Sequence, residues 1–266
     1  MATIYGFSSQ YCRLGRWLLI AVMACSIPLA HAEIYLGATR LIVNAKDKEA
    51  TLRVTNEGRS AVLLQVWVDN GDSEAAPEKI ATPFTVAPPI LRLEGKRSQR
   101  LRVLFTGATT TLPNDRESVF WLNVLEIPPK VASNSASQMQ MSFRTRIKLF
   151  YRPLSLQAMN TANVQDQLRF SLVKRGGKPV LQVSNPTPFH QTLLEITLGR
   201  NKQQAIATLV PENGMVNPKG QADFALPLAK GPVSAGMTVF YSVLDDFGSV
   251  VTAEQVLQAE PSSSSR

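Results

Sequence analysis

The stretch Ser137-Gln-Met-Gln-Met-Ser-Phe-Arg-Thr-Arg-Ile-Lys-Leu-Phe-Tyr-Arg-Pro153 holds two patterns in one segment. Met139, Met141 and Phe143 alternate with Gln138, Gln140 and Ser142, the period of a strand with one apolar face. Arg144, Arg146, Lys148 and Arg152 then interleave with Ile147, Leu149, Phe150 and Tyr151. Such a strand is either an ordinary core strand with a solvated basic face or an exposed edge built to pair with another chain. Lys148 favours the second, because its ammonium stands among apolar and aromatic neighbours, where an anion is wanted. Alternation also sets a problem: Met139, Met141 and Phe143 are odd-numbered and Lys148 even, so a twist or a bulge between Phe143 and Lys148 is expected to reconcile their facing.

Working outward, the first residues read as an export signal. Arg13 and Arg16 precede an apolar run from Trp17 to Ala30 and the small-residue site Ala30-His31-Ala32, which predicts cleavage after Ala32 and a mature start at Glu33. The run is short for a membrane span, and no later stretch approaches the roughly 20 apolar residues that spanning needs. Both cysteines, Cys12 and Cys25, and one of the two histidines lie in residues 1–32, leaving His190 alone. Cysteine catalysis, Cys/His zinc sites and multi-histidine metal centres are excluded by composition, and neither metal nor cofactor is expected. The whole chain has 28 Lys+Arg and 20 Asp+Glu; without Arg13 and Arg16 the mature net charge is 26 − 20 = +6. Export makes nucleic acid the weakest anionic partner for this basic surface and leaves lipid or protein.

From Glu33 onward short β-like runs alternate with turn signals, and no amphipathic helix stands out. Leu52 and Val54 alternate with Thr51, Arg53 and Thr55; Asn56-Glu57-Gly58 turns into the run Ala61–Asp69; Ser118–Ile127 is strongly apolar and stops at Pro128-Pro129. A second set follows, with a hairpin signal at Gly176-Gly177, a break at Asn185-Pro186-Thr187-Pro188, and strands such as Val239–Leu244 and Val250–Val256. This predicts an all-β fold of two immunoglobulin-like sandwich domains with an interdomain cleft: 33–153, with its last strand at about 137–151, and 158–258, followed by a disordered tail at 259–266.

Catalytic motifs are missing. Asp246-Phe247-Gly248 spells a kinase tripeptide, but there is no G-x-G-x-x-G loop or H-R-D, and it reads as a β-turn between strands. G-x-S-x-G and H-E-x-x-H are absent, and His190, after a proline-rich break, reads as a surface residue. The expectation is a protein that is not an enzyme.

At Arg144-Thr-Arg-Ile-Lys-Leu-Phe-Tyr-Arg-Pro153 the chain resembles the periplasmic pilus chaperones of the chaperone/usher pathway, the PapD-like family. Further blocks follow the family's order: Thr39-Arg40, Pro88-Pro89 with Arg92-Leu93-Glu94, Asp115-Arg116-Glu117-Ser118, Glu126-Ile127-Pro128-Pro129, Asn185-Pro186-Thr187-Pro188 and Asp246-Phe247-Gly248. The resemblance implies that Arg40 and Lys148 grip the C-terminal carboxylate of a pilus subunit. It implies that Met139, Met141 and Phe143 are donor residues filling the subunit's groove, and that Glu117, Arg152 and Asp246 tie the two domains together. Its implied partners are fimbrial subunits and an outer-membrane usher, in the periplasm; separately, an exposed strand edge favours a self-capping homodimer when the protein is free. The short segment Lys130–Gln138 and the lack of cysteine after residue 32 match the family's short-loop branch. The sequence departs from the family pattern at Glu94-Gly95, which lacks an intervening proline, and at Asp245, where asparagine is common. The competing reading is an exported structural or adhesive protein of two immunoglobulin-like domains that binds through loops.

Overall fold

A computed structural model describes residues 34–107, 112–129, 141–226 and 231–259. Residues 1–33 and the whole segment 130–140 that leads into the basic strand, Met139 included, therefore lie outside the described residues. The first sandwich pairs a sheet of order β1-β3-β7-β5 with one of order β2-β9-β8-β4-β6. Its strands are β1 (Ile34–Leu36), β2 (Arg40–Asn44), β3 (Glu49–Asn56), β4 (Val62–Asp69), β5 (Phe84–Ala87), β6 (Ile90–Leu93), β7 (Ser98–Phe105), β8 (Ser118–Ile127) and β9 (Phe143–Arg152). In the second, β10 (Arg169–Arg175), β11 (Lys178–Asn185) and β15 (Gly220–Ala225) form one sheet. The other has the order β13-β12-β16-β17, made of β13 (Ala205–Leu209), β12 (Gln191–Gly199), β16 (Thr238–Leu244) and β17 (Val250–Val256), with β14 (Met215–Val216) on β12. Among the described residues the helical segments are short 3-10 turns.

The period-2 pattern explains each layer. In β4, Val62, Leu64, Val66 and Val68 enter the core, while Leu63, Gln65 and Trp67 face the other way. In β3, Leu52 and Val54 are buried between exposed Thr51 and Arg53. Each sandwich has its own apolar core, the first around Leu64, Leu101, Leu122 and Leu149 and the second around Phe170, Leu181, Leu193 and Ile196. Leu156, Val164 and Phe189 form a small separate cluster.

Three local features position the cleft. The chain leaves β1, which is antiparallel to β3, and crosses through residues 37–39 to the other sheet, where β2 runs parallel to β9 with Arg40 opposite Lys148. The Asn185 side chain donates to the carbonyls of Phe189, Val216 and Asn217, and its oxygen accepts from the Thr187 N–H. This folds the proline-rich break inward and delivers His190 and β12. Between β16 and β17, Asp245 Oδ1 accepts the N–H groups of Phe247 and Ser249, closing the turn that the tripeptide was expected to make. Gly248 is needed there twice over: its φ is +82°, and a Cβ would collide with Thr39 Oγ1.

Candidate functional site

β9 is a single unbroken strand. Its antiparallel register with β8 runs without a shift from Ser118 opposite Tyr151 to Glu126 opposite Phe143. Of the expected twist or bulge between Phe143 and Lys148, no bulge is present, and within the strand Phe143 and Lys148 lie on opposite faces. Ile147, Leu149 and Tyr151 continue the Phe143 face into the core, whereas Lys148, Phe150 and Arg152 face the second domain. The burial of Leu149, Phe150, Tyr151 and Arg152 in succession follows from cover on both faces. The strand also starts later than its sequence pattern, at Phe143, with Met141 and Ser142 outside it.

Beyond Ile147 the core ends. Phe143 and Met141 are 56% and 58% exposed. β2 pairs only with Lys148–Arg152, so from Phe143 to Ile147 the edge of β9 facing away from β8 has no ladder partner among the described residues. Five residues of free backbone edge thus run up to the point where β2 begins.

At that point stand two cations. Arg40 is buried at 7% exposure; its Nη1 donates to the Leu244 carbonyl at 3.2 Å, its guanidinium lies 5.7 Å from the centre of the Phe150 ring, and its Nε has no partner. Lys148 donates from Nζ to Thr192 Oγ1 at 3.2 Å. No carboxylate pairs with either among the described residues. Burial, and then the neighbouring Arg40 charge, lower the Lys148 pKa to about 8. Burial also lowers that of Arg40, against the pull of Asp246, Asp245 and Glu117. Two partly desolvated like charges in one register pair form a site that favours an anion.

Behind them Glu117, Arg152 and Asp246 come together across the two sandwiches. Arg152 donates to Glu117 Oε1 from Nε (3.0 Å) and Nη2 (2.7 Å), and to Asp246 from Nη1 (2.9 Å) and Nη2 (3.0 Å). Burial works against the Arg152 charge, but Asp246 and Glu117 outweigh it and raise its pKa. The guanidinium also lies 4.9 Å from the Phe189 ring centre.

His190, expected at the surface, is instead buried in this cluster. Its backbone N–H donates to Glu117 Oε2 at 2.8 Å, its Nδ1 lies 3.3 Å from the same oxygen, and its ring packs on Phe150 at 5.1 Å. The inward fold of the proline-rich break carries it there. Arg146 is likewise no plain solvated residue. It forms a two-bond pair with the buried Asp69, 2.9 Å from Nε to Oδ2 and 2.5 Å from Nη2 to Oδ1, and lies over Trp121 at 4.6 Å. Asn123 Nδ2 and the Gly71 N–H also donate to Asp69, at 2.7 Å each. Burial works to raise the Asp69 pKa, and these hydrogen bonds overcome it and hold the carboxyl below its ordinary range. Thr192, which touches Lys148, went equally unread. A sequence signal existed only for Asp69, an acid ending an apolar strand beside Asn70-Gly71.

Two immunoglobulin-like sandwiches, a free strand edge and a cationic cleft at its end define a class of strand-lending binding proteins. The chain belongs to the PapD family of pilus chaperones: residues 33–157 match the family described as "Pili and flagellar-assembly chaperone, PapD N-terminal domain", and residues 163–255 match "Pili assembly chaperone PapD, C-terminal domain". It is similar to the chaperone protein FimB/FhaD of Bordetella pertussis, 39% identical over 242 residues that cover 90% of this chain and 94% of that protein. Among solved structures, the YadV chaperone, a protein of Escherichia coli, aligns at a TM-score of 0.69 with 32% identity over 85% of this chain and 100% of that one. The Salmonella enterica SafB chaperone, solved in complex with the SafA pilin, aligns at 0.68 with 29% identity over 86% and 98%.

Proposed function

We propose that this chaperone captures fimbrial subunits by lending them β9, holds them folded and unpolymerised, and passes them to an outer-membrane usher without catalysing a reaction. The observation that carries the reading is an edge at Phe143–Ile147 with no ladder partner among the described residues, which stops at the Arg40–Lys148 pair, to which no described carboxylate is bound. A strand added to that edge cannot continue past Ile147, because β2 occupies the next positions. Run antiparallel to β9, it would bring its amino terminus toward the two cations. Run parallel, it would bring its carboxylate there. Electrostatics selects the parallel direction.

Arg40 and Lys148 then act as the carboxylate clamp and set register, which matters because a slip of one residue turns every side chain to the wrong face. Met141 and Phe143 act as donor residues, each contributing about 1.5–3 kcal/mol on burial; Met139 belongs to the same row by sequence. Glu117, Arg152 and Asp246, joined by His190, hold the clamp's two sides together. SafB has been solved with a pilin, and binding of that kind is extended here to this chain. Chaperones of this family are periplasmic, and residues 1–32 serve as the cleaved signal. In the absence of a subunit, pairing of two copies would cover the same edge.

The test is periplasmic co-expression with a tagged fimbrial subunit. Lys148→Ala and Arg40→Ala are each expected to cut the retained complex by roughly 10- to 100-fold, the value of a charge-assisted hydrogen bond of about 1.5–3 kcal/mol, with the chaperone still folded by circular dichroism. Wild-type recovery of complex with either variant counts against the clamp.

A further inference from the structure

Burial holds the start of β9 weakly. Phe143, Arg144 and Thr145 are exposed, Arg146 is half-buried, and the core begins only at Ile147. Among the described residues the ladder of Phe143–Ile147 runs to β8 alone. A strand end with one hydrogen-bonded neighbour and little buried apolar surface opens locally at small cost. It is nevertheless the part that a captured strand would pair with, and an edge that frays loses affinity because its ordering has to be supplied at the moment of binding.

Two side chains on the Lys148 face tie this end down. Arg146 makes its two-bond pair with Asp69, the last residue of β4, and lies over Trp121 of β8. Arg144 Nη1 donates to the Ser73 carbonyl at 2.7 Å, in the loop that leaves β4. That loop is itself fixed. Asp69 Oδ1 accepts the Gly71 N–H, Asp72 Oδ1 accepts the Glu74 N–H at 3.0 Å, and a Cβ on Gly71, whose φ is +119°, would come within 3.3 Å of the Trp121 ring. β4 pairs with β8 and β8 with β9, so the Asp69–Arg146 pair spans three strands, with Asn123, the residue opposite Arg146, bonded to the same carboxylate. Asp69 is 1% exposed, and the two-bond fork of an arginine fixes direction as well as distance.

We propose that Asp69, Arg144 and Arg146, with the loop 70–74, form a strut that holds Phe143–Ile147 extended and in register on β8 before a partner strand arrives. They are positioning residues, and they act on the captured chain through the edge they stiffen. Neither Asp69 nor Arg146 belongs to the apolar core of the sandwich. When Arg146 is replaced, Asn123 and the Gly71 N–H still hold Asp69, so β9 is released while β4 and its loop stay in place.

The strut rests on the strand-lending reading, and the experiment separates the two. Amide hydrogen exchange is measured on the mature chaperone and on its Arg146→Leu and Arg144→Ala variants, with Lys148–Arg152 as the internal reference. Each protein, and Lys148→Ala, is also titrated with a fluorescently labelled peptide of alternating valine and threonine that ends in a free carboxylate. Arg146→Leu is expected to speed exchange of the Phe143–Ile147 amides that donate to β8 by roughly 10- to 100-fold, the worth of a charge-assisted pair, with the Lys148–Arg152 amides unchanged. Its affinity for the peptide is expected to fall at least about tenfold. Arg144→Ala, at an exposed position that the fold tolerates, is expected to shift both readouts the same way by about threefold. Exchange that rises equally in Phe143–Ile147 and Lys148–Arg152 would show a general loss of stability and overturn the strut, as would exchange left at the wild-type rate in both variants. If Lys148→Ala loses the peptide and the two arginine variants bind it as the wild type does, the strut alone falls. If all three variants bind it as the wild type does, the strand-lending reading falls and the strut with it.

Discussion

The two halves of β9 share a backbone, a register with β8 and an alternating pattern, yet they live in different environments. Lys148–Arg152 is paired on both edges and covered on both faces; among the described residues Phe143–Ile147 is paired on one edge, and its apolar face runs off the end of the core at Phe143. The first half is built into this protein, while in the second only Ile147 reaches the core and Phe143 lies exposed beyond it. The boundary is set by where β2 starts and where the facing sheet stops, and neither is written in β9 itself.

The largest effect that would break this contrast is a stability difference between identical truncations. Leu149 is fully buried in the first sandwich, so Leu149→Ala is expected to cost about 3–4 kcal/mol in urea unfolding. Phe143→Ala removes a larger side chain and is expected to change stability by less than about 0.5 kcal/mol. A large loss at Phe143 would mean that the free half already has a core of its own.

Next in size is the tie between the sandwiches. Arg152→Ala leaves the buried Glu117 carboxylate with only His190, a change expected to cost about 3 kcal/mol. Because the cluster joins the two domains, scanning calorimetry is expected to show one transition for the wild type and two for the variant. A single transition at the wild-type temperature would remove the cluster from the list of what fixes the clamp.

A smaller change sharpens the free half. Phe143→Glu is expected to leave the fold intact and to weaken subunit binding by roughly 10- to 100-fold, the loss of about 1.5–3 kcal/mol of apolar burial. Unchanged retention of a subunit on a column would sink the donor role.

These contrasts also show what a reader of the chain can extract. The sandwich pair was legible because alternation and turn residues are local: Val62–Asp69, Ser118–Ile127 and the Gly176-Gly177 hairpin carry their structure in their own few residues. The site was legible only in part. Lys148 betrayed itself by standing among apolar neighbours. Asp69 shows only as an acid closing an apolar run and Arg146 not at all, because their partnership joins strands far apart in the chain. His190 was misread for the same reason: a proline-rich break usually lies on the surface, and only the hydrogen bonds of Asn185 turn this one inward. The expected twist or bulge has a different ground. Opposite facing is no conflict within β9, because Phe143 shares a face with the core residues Ile147 and Leu149 while Lys148 faces the cleft.

The smallest expected effect tests whether Lys148 is poised for a ligand or merely tolerated. Its pKa lies near 8, below the ordinary lysine value, because burial and Arg40 disfavour its charge. In the free protein the unfolded chain therefore binds more protons than the folded one between about pH 8 and the ordinary lysine pKa, so the contribution of this group to stability rises with pH across that window. A clamped carboxylate does the reverse: it favours the ammonium form and draws its proton up, so capture is full below about pH 8 and falls as pH climbs past it. For one coupled proton the loss is about tenfold by pH 9. The two curves should move in opposite directions, stability measured by urea unfolding and capture by peptide titration at matched ionic strength. Lys148→Arg, charged throughout, should flatten both. Capture that stays constant from pH 7 to 9 with the native lysine would mean that no anion depends on that ammonium.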